Sequence, residues 1–156
     1  MDQERRGLVD DLRRGAVIGV AATLAMSAVM LLADRLGLMA KHPPERIVER
    51  GSQATGTPTN EDQQNALASV AHLGFGAAGG VGFGMLAHLT RPPIPGLLAV
   101  PWALAIWAGS YFGWIPALGI LPPPTRDAPG RASTMLVAHL VYGLSLGVLW
   151  RGATSR

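Results

Sequence analysis

Charge disappears from this chain in four long runs. No Asp, Glu, Lys or Arg occurs in 15–33, 63–90, 92–125 or 132–150. The hydrocarbon core of a bilayer is about 30 Å thick and takes about 20 apolar helical residues to cross. At about 1.5 Å per residue the two shorter runs just span it, and the middle two have length to spare. The pattern predicts transmembrane helices over about 14–33, 61–90, 95–115 and 132–150. The charged lead at 1–14 reads as a short helix lying on the membrane surface. Arg5, Arg6, Arg13 and Arg14 precede the first run as in a signal peptide, but that run is longer than an h-region and reads as a retained helix. In the polar stretch 34–65, Pro43 and Pro44 can start an interfacial helix over 45–50 carrying Ile47 and Val48. A flexible link over 51–59 follows, and Asn60 is the expected N-cap of the second long helix. Pro116 should bend or end the third helix, with an apolar cap over 117–125, and Trp150 and Arg151 should close the fourth at an interface.

The chain also repeats itself. VAHLGFGAAGG at 70–80 returns as VAHLVYGLSLG at 137–147, with Phe75 answered by Tyr142. LGLM (36–39) and PPER (43–46) return as LGIL (118–121) and PPTR (123–126). The expected fold is therefore all-α: a four-transmembrane-helix bundle built from two parallel two-helix repeats. It forms one membrane domain over 1–156, with repeat one at about 14–90, including the polar loop 34–65, and repeat two at about 94–150. An even number of crossings separates the halves, which makes them parallel rather than inverted. The two PPxR loops then share one membrane face, here the loop face. Both termini and the turn at 91–93 share the other, the terminal face. Each helix carries a GxxxG: Gly15/Gly19, Gly76/Gly80/Gly84, Gly109/Gly113 and Gly143/Gly147. Such residues let membrane helices approach closely, so they are expected at crossings within the bundle or against another subunit.

Composition narrows the class. Only 15% of the residues are charged and 49% are hydrophobic, where a soluble domain carries about 25% charged residues. The absence of cysteine excludes disulfides, thiolate metal sites and cysteine nucleophiles. The net charge of +3 comes from arginines scattered over the loops, a membrane-flanking pattern and not a nucleic-acid footprint. The dense N-terminal cluster favours cytoplasmic termini. Arginine in place of lysine, with abundant Ala, Gly and Pro, points to a bacterial source and hence the inner membrane.

Candidate chemistry centres on His72 and His139. An imidazole within the membrane is costly unless paired, and it tends to face the bundle interior. Three readings stay open: an interhelical hydrogen bond locking the halves together, a proton- or ion-handling pair, and bis-histidine ligation of a haem b with glycines making room. Zinc needs three or four ligands, and no further one is well placed inside the membrane, so no metal is expected. His42 and His88 read as structural or solvent-facing. Arg46 and Arg126 of the PPxR loops are candidate contacts for an anionic headgroup or anion, or anchors that snorkel to the phosphates. Residues 74–79 spell GxGxxG but follow no strand, so no dinucleotide site is expected. Ser110, Ser133 and Ser145 have no local base-and-orienter pattern, and the chain is not expected to be an enzyme.

PPER at 43–46, His72 with its glycines, GIL-PPPTR at 119–126 and AHLVYG at 138–143 together resemble the YagU-like family of small bacterial inner-membrane proteins. The resemblance implies a polytopic inner-membrane protein and supplies no reaction, cofactor or site residue. The expected role is a small module in the lipid bilayer, alone or homo-oligomeric, that handles protons, ions or a small solute near His72 and His139. The rivals are a structural or assembly subunit docking a membrane-protein partner and a haem-b electron carrier.

Overall fold

The computed structural model describes residues 2–38, 43–56, 60–127 and 130–154. They form α1 (Asp2–Arg35), α2 (Pro43–Thr55), α3 (Glu61–Thr90), α4 (Gly96–Ala108), a π-helical turn (Gly109–Trp114), the short α5 (Ile115–Ala117), a 3-10 turn (Pro124–Arg126) and α6 (Arg131–Thr154), with no strand among the described residues. Four helices are long and apolar enough to cross a membrane, with α4 running on through the π turn to Ala117 as one span. They give the chain the form of a multi-pass membrane protein.

Local signals set the helix ends. Asn60 Oδ1 accepts from the Gln63 backbone N–H, and the Gln63 side chain accepts from the Asn60 N–H, a complete capping box on α3. The two LG phrases end their helices with the same backbone pattern. Gly37 and Gly119 both take positive φ. Leu38 N–H donates to Ala33 O and Gly37 N–H to Asp34 O, as Ile120 does to Ile115 and Gly119 to Pro116. These are matched Schellman caps, which need a residue that tolerates the left-handed region.

Two boundaries and one side-chain placement differ from expectation. The charged lead continues into α1 instead of lying as a separate surface helix. No proline breaks it, and it is held to the end of α3: His88 Nδ1 donates to Asp11 Oδ2 at 3.0 Å, and Arg91 pairs with Glu4 at 3.6 Å. Residues 51–55 extend α2 rather than forming a link, with Thr55 Oγ1 donating to Gly51 O at 3.0 Å before Gly56 takes positive φ. Trp150 lies in the core instead of at an interface, meeting Phe83 edge-on at 5.1 Å, with the Arg14 guanidinium 5.7 Å from its ring.

The helices form an incomplete ring. α1 packs along both α3 and α6, and α4 packs along α6, but α3 and α4 touch at few places. The close crossings use glycine. A Cβ on Gly80 would lie 2.0 Å from Gly15 O, one on Gly76 1.7 Å from Thr23 Oγ1, and one on Gly84 2.4 Å from Asp11 O. Gly143 and Gly147 receive α4 at Val100, Ala99 and Gly96. Gly109 and Gly113 depart from the expected packing role. Neither has an atom within 4 Å of an added Cβ, because both lie on the π turn, facing away from the other helices of this chain.

Candidate functional site

The gap between α3 and α4 encloses a cavity of about 210 Å³ in the loop-face half of the bundle. His72 from α3 and His139 from α6 both line it. Counting from Arg131, His139 stands eight residues into α6, about two turns. Met26 and Met30 of α1, Met135 of α6 and Trp107 of α4 line it as well, and Ile47 reaches it from α2. The interfacial helix thus lies against the cavity through the residue that its sequence marked as apolar.

Aromatic side chains bridge the seam where backbones stay apart. Trp102 Nε1 donates to Gly79 O at 2.9 Å, and its ring lies over Gly82, where an added Cβ would come within 2.6 Å. Phe75 meets Trp114 at 6.2 Å between ring centroids. Both rings are partly exposed, so this end of the seam fronts the acyl chains. On the opposite wall Tyr142, the repeat counterpart of Phe75, donates its hydroxyl to Gly76 O at 2.8 Å and ties α6 to α3.

The π turn shapes the upper wall. Pro116 has no N–H to offer the preceding turn, and its ring crowds the carbonyl four residues back. The backbone responds by widening: Ile115 N–H bonds Ser110 O, five residues back, and Gly113 leaves helical geometry at φ −105°, ψ −108°. Ser110 and Tyr111 are thereby buried and brought to the cavity. Such π bulges are frequent at functional sites. Ser110 Oγ accepts from Trp114 Nε1 at 3.2 Å.

Above the cavity lies a charged cluster that the sequence reading missed. Tyr111 donates its hydroxyl to Asp127, and Asp127 pairs with Arg131 at the start of α6. The Arg131 and Asp127 side chains are only 5% and 1% exposed. The i, i+4 spacing of Asp127 and Arg131 was the available signal. The prolines before Asp127 and the residues after it gave no reason to expect a buried turn there.

His72 also lines a second cleft of about 290 Å³, with Glu45, Asn65, Ser69 and Ser27, between α1, α2 and α3. Its ring therefore stands between the apolar cavity and a cleft of mixed polarity, which Met30, Leu31 and Ala68 also line. His139 is anchored differently: Nδ1 donates to Met135 O at 2.8 Å. The two histidines share a cavity wall, as the repeat implied.

The other candidates stand apart. Arg46 pairs with Glu49 at 3.3 Å on exposed α2, and Arg126 is exposed on the 3-10 turn, so both lie on the loop face outside the cavity. His88 is committed to Asp11 near the terminal face. His42 lies outside the described residues.

No curated protein and no solved structure matches the chain. A family model does, over residues 9–156, and it is described only as a family of unknown function. The match does not carry the YagU-like name. Spanning all four long helices and both histidines, it places this chain in the family of unknown function DUF6789.

Proposed function

We propose that the protein is a membrane module that takes a small, largely apolar solute from the bilayer into the His72/His139 cavity, without a catalytic step. The observation behind this reading is the joint one: both intramembrane histidines line a single apolar cavity, set at the one wide seam of the bundle. An ion path calls for rings of charge or carbonyls along its length, and this wall is mainly methionine, aromatic and aliphatic carbon. The cavity size favours a smaller occupant than a haem, since pockets for drug-sized ligands already run to about 300–1,000 Å³. The His72 cleft offers a second opening toward the loop face, which suits transfer between lipid and the membrane surface. Residence in a bacterial inner membrane, cytoplasmic termini and kinship with the YagU-like proteins belong to the same proposal.

A specific feature favours a second reading. Gly109 and Gly113 face outward from this chain, so another membrane protein or a second copy has a smooth surface to meet. One experiment separates the two. The protein is purified from its own membrane in mild detergent, and bound small molecules are extracted and identified by mass. A lipophilic molecule held one-to-one by the wild type and lost from Ala71→Phe, which fills the cavity wall, supports the solute reading. Equal content in both proteins overturns it. A polypeptide partner at constant ratio with an empty cavity selects the assembly role, and a Soret band selects haem.

A further inference from the structure

The cavity wall narrows the chemistry of the solute, an inference that rests on the solute reading above. The carbonyl of Met135 can only accept, so the His139 Nδ1 that bonds it carries the proton and Nε2 carries the lone pair. Trp107 lines the same cavity, and its buried indole N–H meets no acceptor among the described residues. Indole nitrogen is a donor only, and a buried donor left unmet is costly. Thr23, Tyr111 and Tyr142 already spend their O–H groups on Gly19 O, Asp127 and Gly76 O. With His72 and the Ser110 hydroxyl on the same wall, the cavity presents a few uncharged polar groups, His139 Nε2 as an acceptor and Trp107 Nε1 as a donor among them, within a mainly hydrocarbon surface.

A single water could meet both groups, but its share of volume is about 30 Å³, leaving most of the 210 Å³ empty. An apolar cavity of about 150 Å³ holds a benzene, so this one has room for an aromatic ring with a few further carbons. Neither lysine nor arginine lines it. A carboxylate or phosphate would be buried without countercharge, at heavy cost. A hydroxyl suits such a wall, because it can both donate to an acceptor such as His139 Nε2 and accept from a donor such as Trp107 Nε1. The geometry points to an uncharged, phenol-sized apolar molecule bearing a hydroxyl as the ligand, with any longer tail leaving through the α3–α4 seam into lipid.

The test uses the full chain in lipid nanodiscs with four probes: 4-propylphenol, 4-propylanisole, propylbenzene and 4-propylbenzoate. Binding is read by ligand-observed NMR and corrected for partition into empty nanodiscs. Two modest hydrogen bonds predict about tenfold tighter binding of the phenol than of propylbenzene. The anisole falls between them, since it keeps the acceptor and loses the donor. Trp107→Phe narrows the phenol preference over propylbenzene to about threefold, one hydrogen bond fewer. Equal binding of phenol and propylbenzene, or tightest binding of the benzoate, overturns the hydroxyl assignment while a solute cavity stands. Saturable binding of none of the four overturns both. The wild-type comparison decides the matter even if Trp107→Phe fails to fold.

Discussion

Gly80 and Gly109 are both GxxxG glycines in long apolar helices, yet a methyl group should act oppositely at the two sites. At Gly80 the added carbon would lie 2.0 Å from Gly15 O and 2.8 Å from Gly19 Cα. Both are backbone atoms and cannot rotate away, so α1 and α3 must separate by about 1 Å. A radial gap of that size forfeits roughly a quarter to a half of each contact's attraction. Overpacking of this kind costs about 1–3 kcal/mol, and contact with backbone puts Gly80→Ala near the upper end. The better helix propensity of alanine returns up to about 1 kcal/mol, for a net loss of about 2 kcal/mol. At Gly109 nothing lies within 4 Å and φ is −61°. Only the propensity remains, so Gly109→Ala should be neutral or slightly stabilising in the isolated chain. Reversible unfolding in bicelles by titration with SDS, followed by circular dichroism, measures both. Equal stability of Gly80→Ala and the wild type would refute the close crossing. An equal loss from Gly109→Ala would show that its face is packed after all.

Three further sets of substitutions probe the same structure by the same assay. Asp127→Asn leaves Arg131 buried without its countercharge and should cost about 3 kcal/mol or more, while Asp127→Leu with Arg131→Met should recover most of it; a recovery no better than the single change would place the pair in water. Gly37→Ala and Gly119→Ala each force a side chain into the left-handed region and should each cost about 1–2 kcal/mol; a large difference between them would deny the matched caps. Gly76→Ala collides with Thr23 and should destabilise as Gly80→Ala does, but unlike it should be largely rescued by Thr23→Gly, because the obstacle is a side chain; failure of the rescue would mean that another contact sets the spacing.

What was legible in the sequence follows from what lipid forbids. Charges cannot be stranded in hydrocarbon, so their absence over 63–90 or 132–150 located helices without any knowledge of partners. Caps are equally local, and Asn60 with Gln63 was half readable from residue type alone. The repeated VAHL phrase brought His72 and His139 to one wall. The lead at 1–14 was misread because its tie to α3, through Asp11 to His88, joins residues 77 positions apart. Gly109 and Gly113 were misread because GxxxG states that a face is smooth and not which way it points. The Tyr111–Asp127–Arg131 cluster depends on the widened turn that Pro116 imposes, a backbone change without a periodic signature.

The cavity itself comes from a broken symmetry. Two parallel repeats predict that the first helix should meet the fourth as the third meets the second. Instead α1 lies closely along α6, while α4 stands away from α3. The matched caps at Gly37 and Gly119 fix the register between the repeats. That register sets Trp102, Trp107 and Trp114 against Val20, Ala25 and Leu32. The third helix is bulky at three positions where the first is slender or aliphatic. Indoles cannot enter a glycine seam, so they span it: Trp102 reaches the Gly79 carbonyl, and Trp114 meets Phe75. Space remains beneath them, and Trp107 is left at its wall with an unmet N–H. The repeated phrase supplied two imidazoles that line one cavity. The bulky third helix opens the bundle on the α3–α4 side only, and a one-sided opening is what the proposed filling from the bilayer requires.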